Sequence, residues 1–330
     1  MPIQKMNVAI VGATGYGGIQ AVNLLKNNKN YKISYLGGYK TSGAKWNDIF
    51  PFLYLKSDPL IEEISVDNIS HNSDIALLCL PNGISSTLTR KLLDKGLKVI
   101  DLSADYRYKS LEDWKKVYSK EASIYKRNDD DLCKEAIYGL PEINKEAISQ
   151  ARLIACPGCY PTSALIPLVP FLSQGIIDNE GIVIDSKSGT SGGGREPNQK
   201  LLLSECGEGI SAYGLINHRH TSEIEQFASL ISGKDVELLF TPHLIPISRG
   251  MHSTIYGRLR DPGLTSDDCR ILLDNYYRNF KNIIVLPVDT FPSTKWARNN
   301  IKNFLSVKVD NRNGRIIILS VIDNLLKGQT

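Results

Sequence analysis

The sequence predicts an α/β chain in two parts, an open parallel sheet followed by an α+β domain with a mixed sheet. Three observations carry that expectation. Val8-Ala9-Ile10-Val11 is a short apolar strand running straight into Gly12-Ala13-Thr14-Gly15-Tyr16-Gly17-Gly18, after which Ile19, Val22 and Leu25 recur at helical spacing. Apolar runs at 31–36, 74–80 and 97–102 follow at the spacing of strands separated by helices; between the last two, 85–95 sets Leu88 and Leu92 on one helical face, with Gly96 as its stop. From 235 onward the chain turns β-rich: 235–240, 253–260 and 282–288 read as strands, 303–309 and 315–321 as a hairpin around Asn313-Gly314, with one helix at 267–280.

Bulk properties narrow the class. A chain of 330 residues that is 42% hydrophobic and 22% charged can bury a sizeable core in about two domains. Its net charge of +4 is spread over 39 basic and 35 acidic residues without a basic block, which argues against a nucleic-acid partner. The first residues lead directly into a strand with no secretory h-region, and no 18-residue apolar run offers a membrane span, so the cytoplasm is the expected compartment. Six cysteines in a chain of this length are not a disulfide framework and fit a reducing compartment.

The glycine turn gives the first domain its chemistry. Glycines at 12, 15 and 18 between a strand and a helix let the backbone approach a pyrophosphate, which the helix N-terminus then binds. This is a Rossmann-type dinucleotide site, with Gly12, Thr14, Gly15, Tyr16, Gly17 and Gly18 as candidate phosphate contacts. An NAD-selective site usually carries an acid about 20 residues beyond the glycines. Here Leu36 is followed by Gly37-Gly38-Tyr39-Lys40-Thr41-Ser42, with no acid before Asp48, so Lys40, Thr41 and Ser42 suit a 2′-phosphate and NADP(H) is the expected cofactor. Pro81, opening Pro81-Asn82-Gly83 at a strand end, stands where a nicotinamide would lie, although a plain turn accounts for it almost as well.

A second stretch organises the rest. In Ala155-Cys156-Pro157-Gly158-Cys159-Tyr160-Pro161-Thr162, Pro157 and Gly158 break a strand, and Pro161 suits a first helical turn. Cys159 is thereby set at a helix N-terminus, where backbone N–H groups and the positive dipole end favour the nucleophilic thiolate. Downstream, 186–195 (Ser-Lys-Ser-Gly-Thr-Ser-Gly-Gly-Gly-Arg) reads as a ligand-facing loop containing Ser188, Gly189 and Arg195. His218-Arg219-His220 precedes an amphipathic helix for which Ser222 and Glu225 form a capping box; both histidines then fall in the loop before it, with Glu223 near enough to orient an imidazole. Arg249 at a strand end is either a rim charge or an anion ligand. Cys156 and Cys159 as a redox dithiol, or with the histidines as a zinc site, is a weaker reading: a redox dithiol is expected near the first βαβ unit, a structural zinc wants closer, paired spacing, and no metal is expected. A non-catalytic NADP sensor would keep the glycines but has no need of Cys159, His218 and His220 together.

Taken together the motifs resemble the N-acetyl-gamma-glutamyl-phosphate reductase family of arginine biosynthesis, related to aspartate-semialdehyde dehydrogenase. The resemblance runs along essentially the whole chain: the 12–18 turn, Leu102-Ser103-Ala104-Asp105-Tyr106-Arg107, Tyr138-Gly139-Leu140-Pro141-Glu142, the cysteine stretch, the 186–195 loop, His218-Arg219-His220, Phe240-Thr241-Pro242-His243-Leu244 and Asp323-Asn324-Leu325-Leu326-Lys327-Gly328. It implies the semialdehyde-dehydrogenase architecture, with an NADP-binding domain at 1–157 against which 322–330 packs back, and a catalytic and oligomerisation domain at 158–321. It also implies NADPH-dependent reduction of an acyl phosphate to a semialdehyde with release of phosphate. Cys159 would be the nucleophile, His218 or His220 the acid/base, Glu223 its orienting partner, and the assembly a homodimer or homotetramer. Ser103, Arg107, Glu142, Arg195 and Arg249 are the candidate substrate contacts, and Ser188 and Gly189 are further cofactor contacts. The runner-up substrate is an aminoadipyl or aspartyl phosphate. Two departures stand out. Cys156 occupies a position that is often Asn in the family, and members usually continue beyond Lys-Gly into a helix that closes the cofactor pocket.

The missing acid after the second strand yields a test. NADPH should bind more tightly than NADH, measured as dissociation constants by fluorescence titration, and equal or tighter NADH binding would contradict the assignment of 39–42.

Overall fold

The computed structural model describes residues 5–329, which form two compact units, 5–157 and Gly158–Gln329. In the first, six parallel strands, β1 (Met6–Val11), β2 (Tyr31–Gly37), β3 (Ile75–Leu78), β4 (Lys98–Asp101), β5 (Ile137–Tyr138) and β6 (Leu153–Ala155), lie in the order β2-β1-β3-β4-β6-β5. Apolar residues on both faces of β1 are what make it a central strand. Val8 and Ile10 join Trp46, Phe50 and Ile61 in one core cluster, while Ala9 and Val11 join Leu92, Trp114 and Tyr118 in the other. The chain leaves β1 for β2 on one side and returns to β3 on the other, so a crevice opens at the carboxyl ends of β1 and β3, the usual ligand position in such sheets. Gly12 occupies that point with φ +83°, and a Cβ there would stand 2.3 Å from the Cys79 carbonyl oxygen. The helix 85–95 expected from sequence is Ser85–Asp94, and Gly96 (φ +86°) follows it.

The second unit is a seven-stranded mixed sheet. Its strands β7 (Ile182–Ser188), β8 (Ser211–Ala212), β9 (Leu238–Leu244), β10 (Met251–Arg258), β11 (Ile283–Val285), β12 (Asn303–Asp310) and β13 (Arg315–Ile322) lie in the order β11-β12-β13-β10-β7-β9-β8. The predicted hairpin is β12–β13, paired from Phe304↔Val321 to Asp310↔Arg315. Across one face runs the helix Cys159–Ser173, buried from Cys159 to Leu172. A helix so largely apolar on every face is stable only inside a core. Pro170 lacks the N–H that would bond the Ile166 carbonyl in an unbroken helix, and the Tyr277 hydroxyl donates to that carbonyl instead. Ser163, also buried, donates to Ser253 Oγ (2.8 Å), which pairs with Ser186 Oγ at 2.7 Å, so hydroxyls tie the helix to β10 and β7 at a fixed register. Of residues 322–330, which the resemblance implies pack back on the first domain, 322–329 cluster with the second unit; Thr330 lies outside the described residues.

All six cysteines are thiols. Among the described residues no helix is long and apolar enough to cross a membrane, and no group of His, Cys, Asp or Glu side chains is arranged to hold a metal ion.

Two glycines separate crowding from backbone strain. A Cβ at Gly18 would meet the Gly12 and Ala13 carbonyl oxygens at 2.4 and 2.5 Å, whereas one at Gly96 meets nothing within 4 Å. Gly18→Ala should therefore cost about 1–3 kcal/mol and deform the glycine turn, while Gly96→Ala should cost about 1–2 kcal/mol from φ alone. Thermal melts together with NADPH titration check this: only the first variant should lose cofactor affinity.

Candidate active site

The cysteine helix begins without a side-chain cap. Gly158 is its N-cap in an extended conformation (φ −69°, ψ 161°), and the first intrahelical bond runs from Thr162 N–H to the Gly158 carbonyl at 2.9 Å. Pro161 has no N–H, so the first turn presents the backbone donors of Cys159 and Tyr160 ahead of that bond. The Gly158 N–H donates to Glu223 Oε1 at 3.0 Å. Glu223 is 0% exposed, and its carboxylate reaches this spot from the helix Arg219–Ser232, which packs beside the cysteine helix. Its other oxygen lies 4.0 Å from His220 Nε2. One buried carboxylate thus touches both the backbone that presents Cys159 and an imidazole.

The histidine helix starts earlier than its sequence signals suggest. Ser222 and Glu225 do not cap it; His218 does, its Nδ1 accepting the His220 N–H at 3.1 Å. An imidazole nitrogen can fill the acceptor role normally taken by Asn or Asp, which the residue pattern does not advertise. Consequently His220 sits in the first turn rather than in a loop, one turn ahead of Glu223. The bond also sets the His218 tautomer, with its proton on Nε2. Burial, aided by the Arg219 charge, pushes His218 down to about 4. The Tyr160 ring packs edge-on against both imidazoles, at 5.5 Å from His218 and 5.8 Å from His220, and its hydroxyl pairs with the Tyr213 hydroxyl at 2.8 Å. Cys156 is a different thiol from Cys159: burial, with Asp101 adding to it, pushes it up to about 12.

The remaining predicted residues fall into three groups. Ser188 is buried, and Gly189 N–H donates to the Gly250 carbonyl (2.9 Å), so both lie in the second unit beside Arg249. Arg249 Nη2 donates to Asp323 Oδ1 at 2.9 Å. Arg195 is exposed on the same loop. In the first unit, Ser103 donates to Asp101 Oδ2 (2.6 Å), Arg107 donates to the carbonyls of Cys156 (2.7 Å) and Leu102 (3.0 Å), and Glu142 is buried in the first turn of the helix Pro141–Gln150. These bonds of Ser103 and Arg107 are made to groups of the first unit. Tyr160, Asp323 and Asn324 entered the sequence reading only as letters of a motif, and nothing in spacing alone marks them.

The dinucleotide candidates fit their ligand. The helix Tyr16–Leu25 has Gly15 as an uncapped N-cap, with its first intrahelical bond from Ile19 N–H to the Gly15 carbonyl (2.9 Å), so its opening donors face the crevice end of β1. Only Gly12 O and Cys79 O approach a Cβ built at Gly15, at 3.5 and 4.0 Å, which leaves the room a pyrophosphate requires. Thr14 Oγ1 is 3.4 Å from Thr41 Oγ1, which brings the glycine turn and the 39–42 segment together. Lys40 and Ser42 are exposed there, and Pro81 is exposed beyond β3.

Comparison with known proteins agrees with this division. Residues 7–151 match the family described as semialdehyde dehydrogenase, NAD binding domain, and 159–324 match semialdehyde dehydrogenase, dimerisation domain. An N-acetyl-gamma-glutamyl-phosphate reductase of Prochlorococcus marinus (strain MIT 9301) is 89% identical over 325 residues, 98% of this chain and 93% of the relative. The chain belongs to the N-acetyl-gamma-glutamyl-phosphate reductase family. A more distant reductase of that name, from Prochlorococcus marinus (strain MIT 9211), is 55% identical over 98% of this chain and 90% of its own length. Among solved structures, aspartate semialdehyde dehydrogenase II of Vibrio cholerae superposes with a TM-score of 0.74 at 18% identity, covering 98% of this chain and 95% of its own. Aspartate semialdehyde dehydrogenase with NADP from Candida albicans gives 0.67 at 15%, covering 98% and 95%. At such identities the likeness is one of fold, so the reductase family here is built on the two-domain semialdehyde-dehydrogenase architecture.

The half-buried His218 predicts a slope in stability against pH. Its ordinary value of 6.5 applies to the unfolded chain and about 4 to the folded one, so between these values the unfolded state binds more protons. The contribution is complete above about pH 6.5 and is lost as pH falls toward 4. His218→Asn keeps a capping acceptor without the titration, and its melting temperature should fall less steeply than that of the parent protein from pH 7 to 4.5.

Proposed function

We propose that this chain catalyses the NADPH-dependent, reversible reductive dephosphorylation of N-acetyl-L-glutamyl 5-phosphate to N-acetyl-L-glutamate 5-semialdehyde, through a thioester on Cys159, as a cytoplasmic homodimer or homotetramer. The observation that carries the reading is near-identity, over almost the whole chain, to reductases of that name. The first unit is read as the NADP-binding domain and the second as the catalytic and oligomerisation domain; the family descriptions of the two segments support that division. Six thiols suit a reducing compartment.

The chain's own groups supply the following chemistry. The turn 12–18, Lys40, Thr41, Ser42 and Pro81 would hold NADPH, which when bound provides a hydride. Cys159 sulfur attacks the acyl carbon, and the first-turn N–H groups of its helix stabilise the oxyanion as the C–S bond forms. His220 takes the thiol proton and returns it to the phosphate oxygen as the C–O bond to phosphate breaks, leaving a thioester. After reduction at that carbon, the C–S bond breaks, the carbonyl reforms and the thiolate departs. Glu223 orients His220, and the neutral His218 is better suited to hold the helix start and the Tyr160 ring than to carry protons. Arg249, Arg195, Arg107, Ser103 and Glu142 are the candidate contacts for the acyl phosphate, and Ser188 and Gly189 for the cofactor. A sulfur nucleophile suits both halves, because thiolate attacks readily and also leaves readily.

The test is Cys159→Ser assayed in the direction of semialdehyde, phosphate and NADP, with aminoadipyl and aspartyl semialdehydes as competitors. Activity should be abolished with NADPH affinity nearly unchanged, because the lost interaction acts on the chemical step. Cys156→Ser should keep most activity. Substrate-protected iodoacetamide label on Cys156 with Cys159 unreacted would overturn the nucleophile, and a faster aminoadipyl or aspartyl reaction would overturn the substrate.

A further inference from the structure

Residues 323–328 make a tight turn directly after β13, closed by Gly328 N–H donating to the Asp323 carbonyl at 3.1 Å. Its two leading side chains are polar and 0% exposed. Burial of that kind is tolerated only when the hydrogen bonds are made. Asp323 Oδ1 accepts from Leu325 N (2.9 Å), Leu326 N (3.0 Å) and Arg249 Nη2 (2.9 Å), while Oδ2 accepts from Asn299 N (2.7 Å). Asn324 is used differently, because its amide reaches two separate loops. Oδ1 accepts the Gly250 N–H at 2.8 Å, and Nδ2 donates to Ser191 Oγ at 3.0 Å. Gly250 follows Arg249, and Ser191 lies three residues beyond Ser188.

The other end of the turn bears on the cysteine. A Cβ built on Gly328 would lie 2.7 Å from Cys159 Cβ and 2.6 Å from the Asn324 carbonyl oxygen. Gly328 is therefore packed against the backbone-proximal part of Cys159 with no room for a methyl group. Through one six-residue turn, the position of Cys159 is linked to the 188–191 hydroxyl loop and to the Arg249-Gly250 segment.

We propose that Asn324 is a positioning residue for the Cys159 reaction: its amide locks Ser191 and Gly250 to the turn whose Gly328 seats the nucleophile. The proposal rests on the reading of Cys159 as the nucleophile. Asn suits this place because it alone among residues of its shape offers both an acceptor for a backbone N–H and a donor for a hydroxyl. Removing the amide leaves all the reacting groups in the chain but lets the loop and the thiol drift relative to one another. Misplacement on the scale of an ångström is enough to cost about 100-fold in rate.

The experiment compares Asn324→Ala, Ser191→Ala, the double variant and Gly328→Ala with the parent enzyme, using N-acetylglutamate semialdehyde, phosphate and NADP for turnover and iodoacetamide for the thiol. Asn324→Ala should lower kcat by about 10–100-fold with KM for the semialdehyde within about twofold. The pH midpoint of Cys159 alkylation should move upward, since a thiol displaced from the helix N-terminus is a weaker acid. Ser191→Ala should show a smaller loss that does not add to the first. Gly328→Ala should reproduce the fall in kcat and the alkylation shift while Asn324 remains in place. A merely structural role would lower the melting temperature while leaving kcat and the alkylation midpoint at 25 °C as in the parent, and that result in both Asn324→Ala and Gly328→Ala overturns the proposal. If Asn324→Ala does not fold, parental kcat and midpoint in Ser191→Ala and Gly328→Ala overturn it. Full activity of Cys159→Ser is the separate result that would instead remove the nucleophile assignment on which it rests.

Discussion

The hydrogen bond from Gly158 N–H to Glu223 is the contact on which the geometry around Cys159 depends. A carboxylate with no solvent exposure must be compensated, and here a helix N-cap N–H, at the positive end of the helix dipole, faces one oxygen while an imidazole stands near the other. Movement of either helix start would disturb the contacts of that carboxylate. The thiol-bearing residue and His220 are consequently fixed to one another through a single side chain, although 60 residues separate them in sequence. Such coupling between the starts of two packed helices is stiffer than any placement on a loop alone.

Rigidity around that bond is assembled from compensated defects. Prolines inside the cysteine helix remove backbone donors, and the Tyr277 hydroxyl satisfies the carbonyl that Pro170 leaves open. Serines at 163, 186 and 253 hydrogen-bond to one another where aliphatic side chains would pack equally well, and their directional bonds fix the sliding register of helix on sheet. A core of Leu and Ile alone would hold the helix against the sheet but would specify its position along the sheet less sharply.

Electrostatics divides the two histidines and the two cysteines of the motifs between different tasks. His218 is held neutral by burial and spent as a helix cap, whereas His220, two residues on, stands near the Glu223 carboxylate. Cys156 lies in the same turn as Cys159, and burial pushes its thiol up to about 12. The difference follows from position in the backbone: Cys156 follows a buried strand beside Asp101, whereas Cys159 opens a helix.

The order of elements, the glycine turn with its missing downstream acid, the cysteine at a helix start and the β12–β13 hairpin were all legible in the chain, because each depends on local spacing, φ preference or hydrophobic period. The cap of the histidine helix was not, since Ser222 and Glu225 carry the local capping signal and His218 does not; the choice was made by packing of the imidazole against Tyr160 and Phe240. Nor could spacing separate Arg107, whose Nε and Nη2 donate to main-chain carbonyls, from Arg249, which pairs with Asp323. The doublet Asp323-Asn324 reads in sequence as an ordinary polar turn after a strand. Burying it against Arg249, Gly250 and Ser191, with Gly328 on Cys159, requires partners from three distant segments, and hydrogen bonds between segments so far apart leave no periodic trace along the chain.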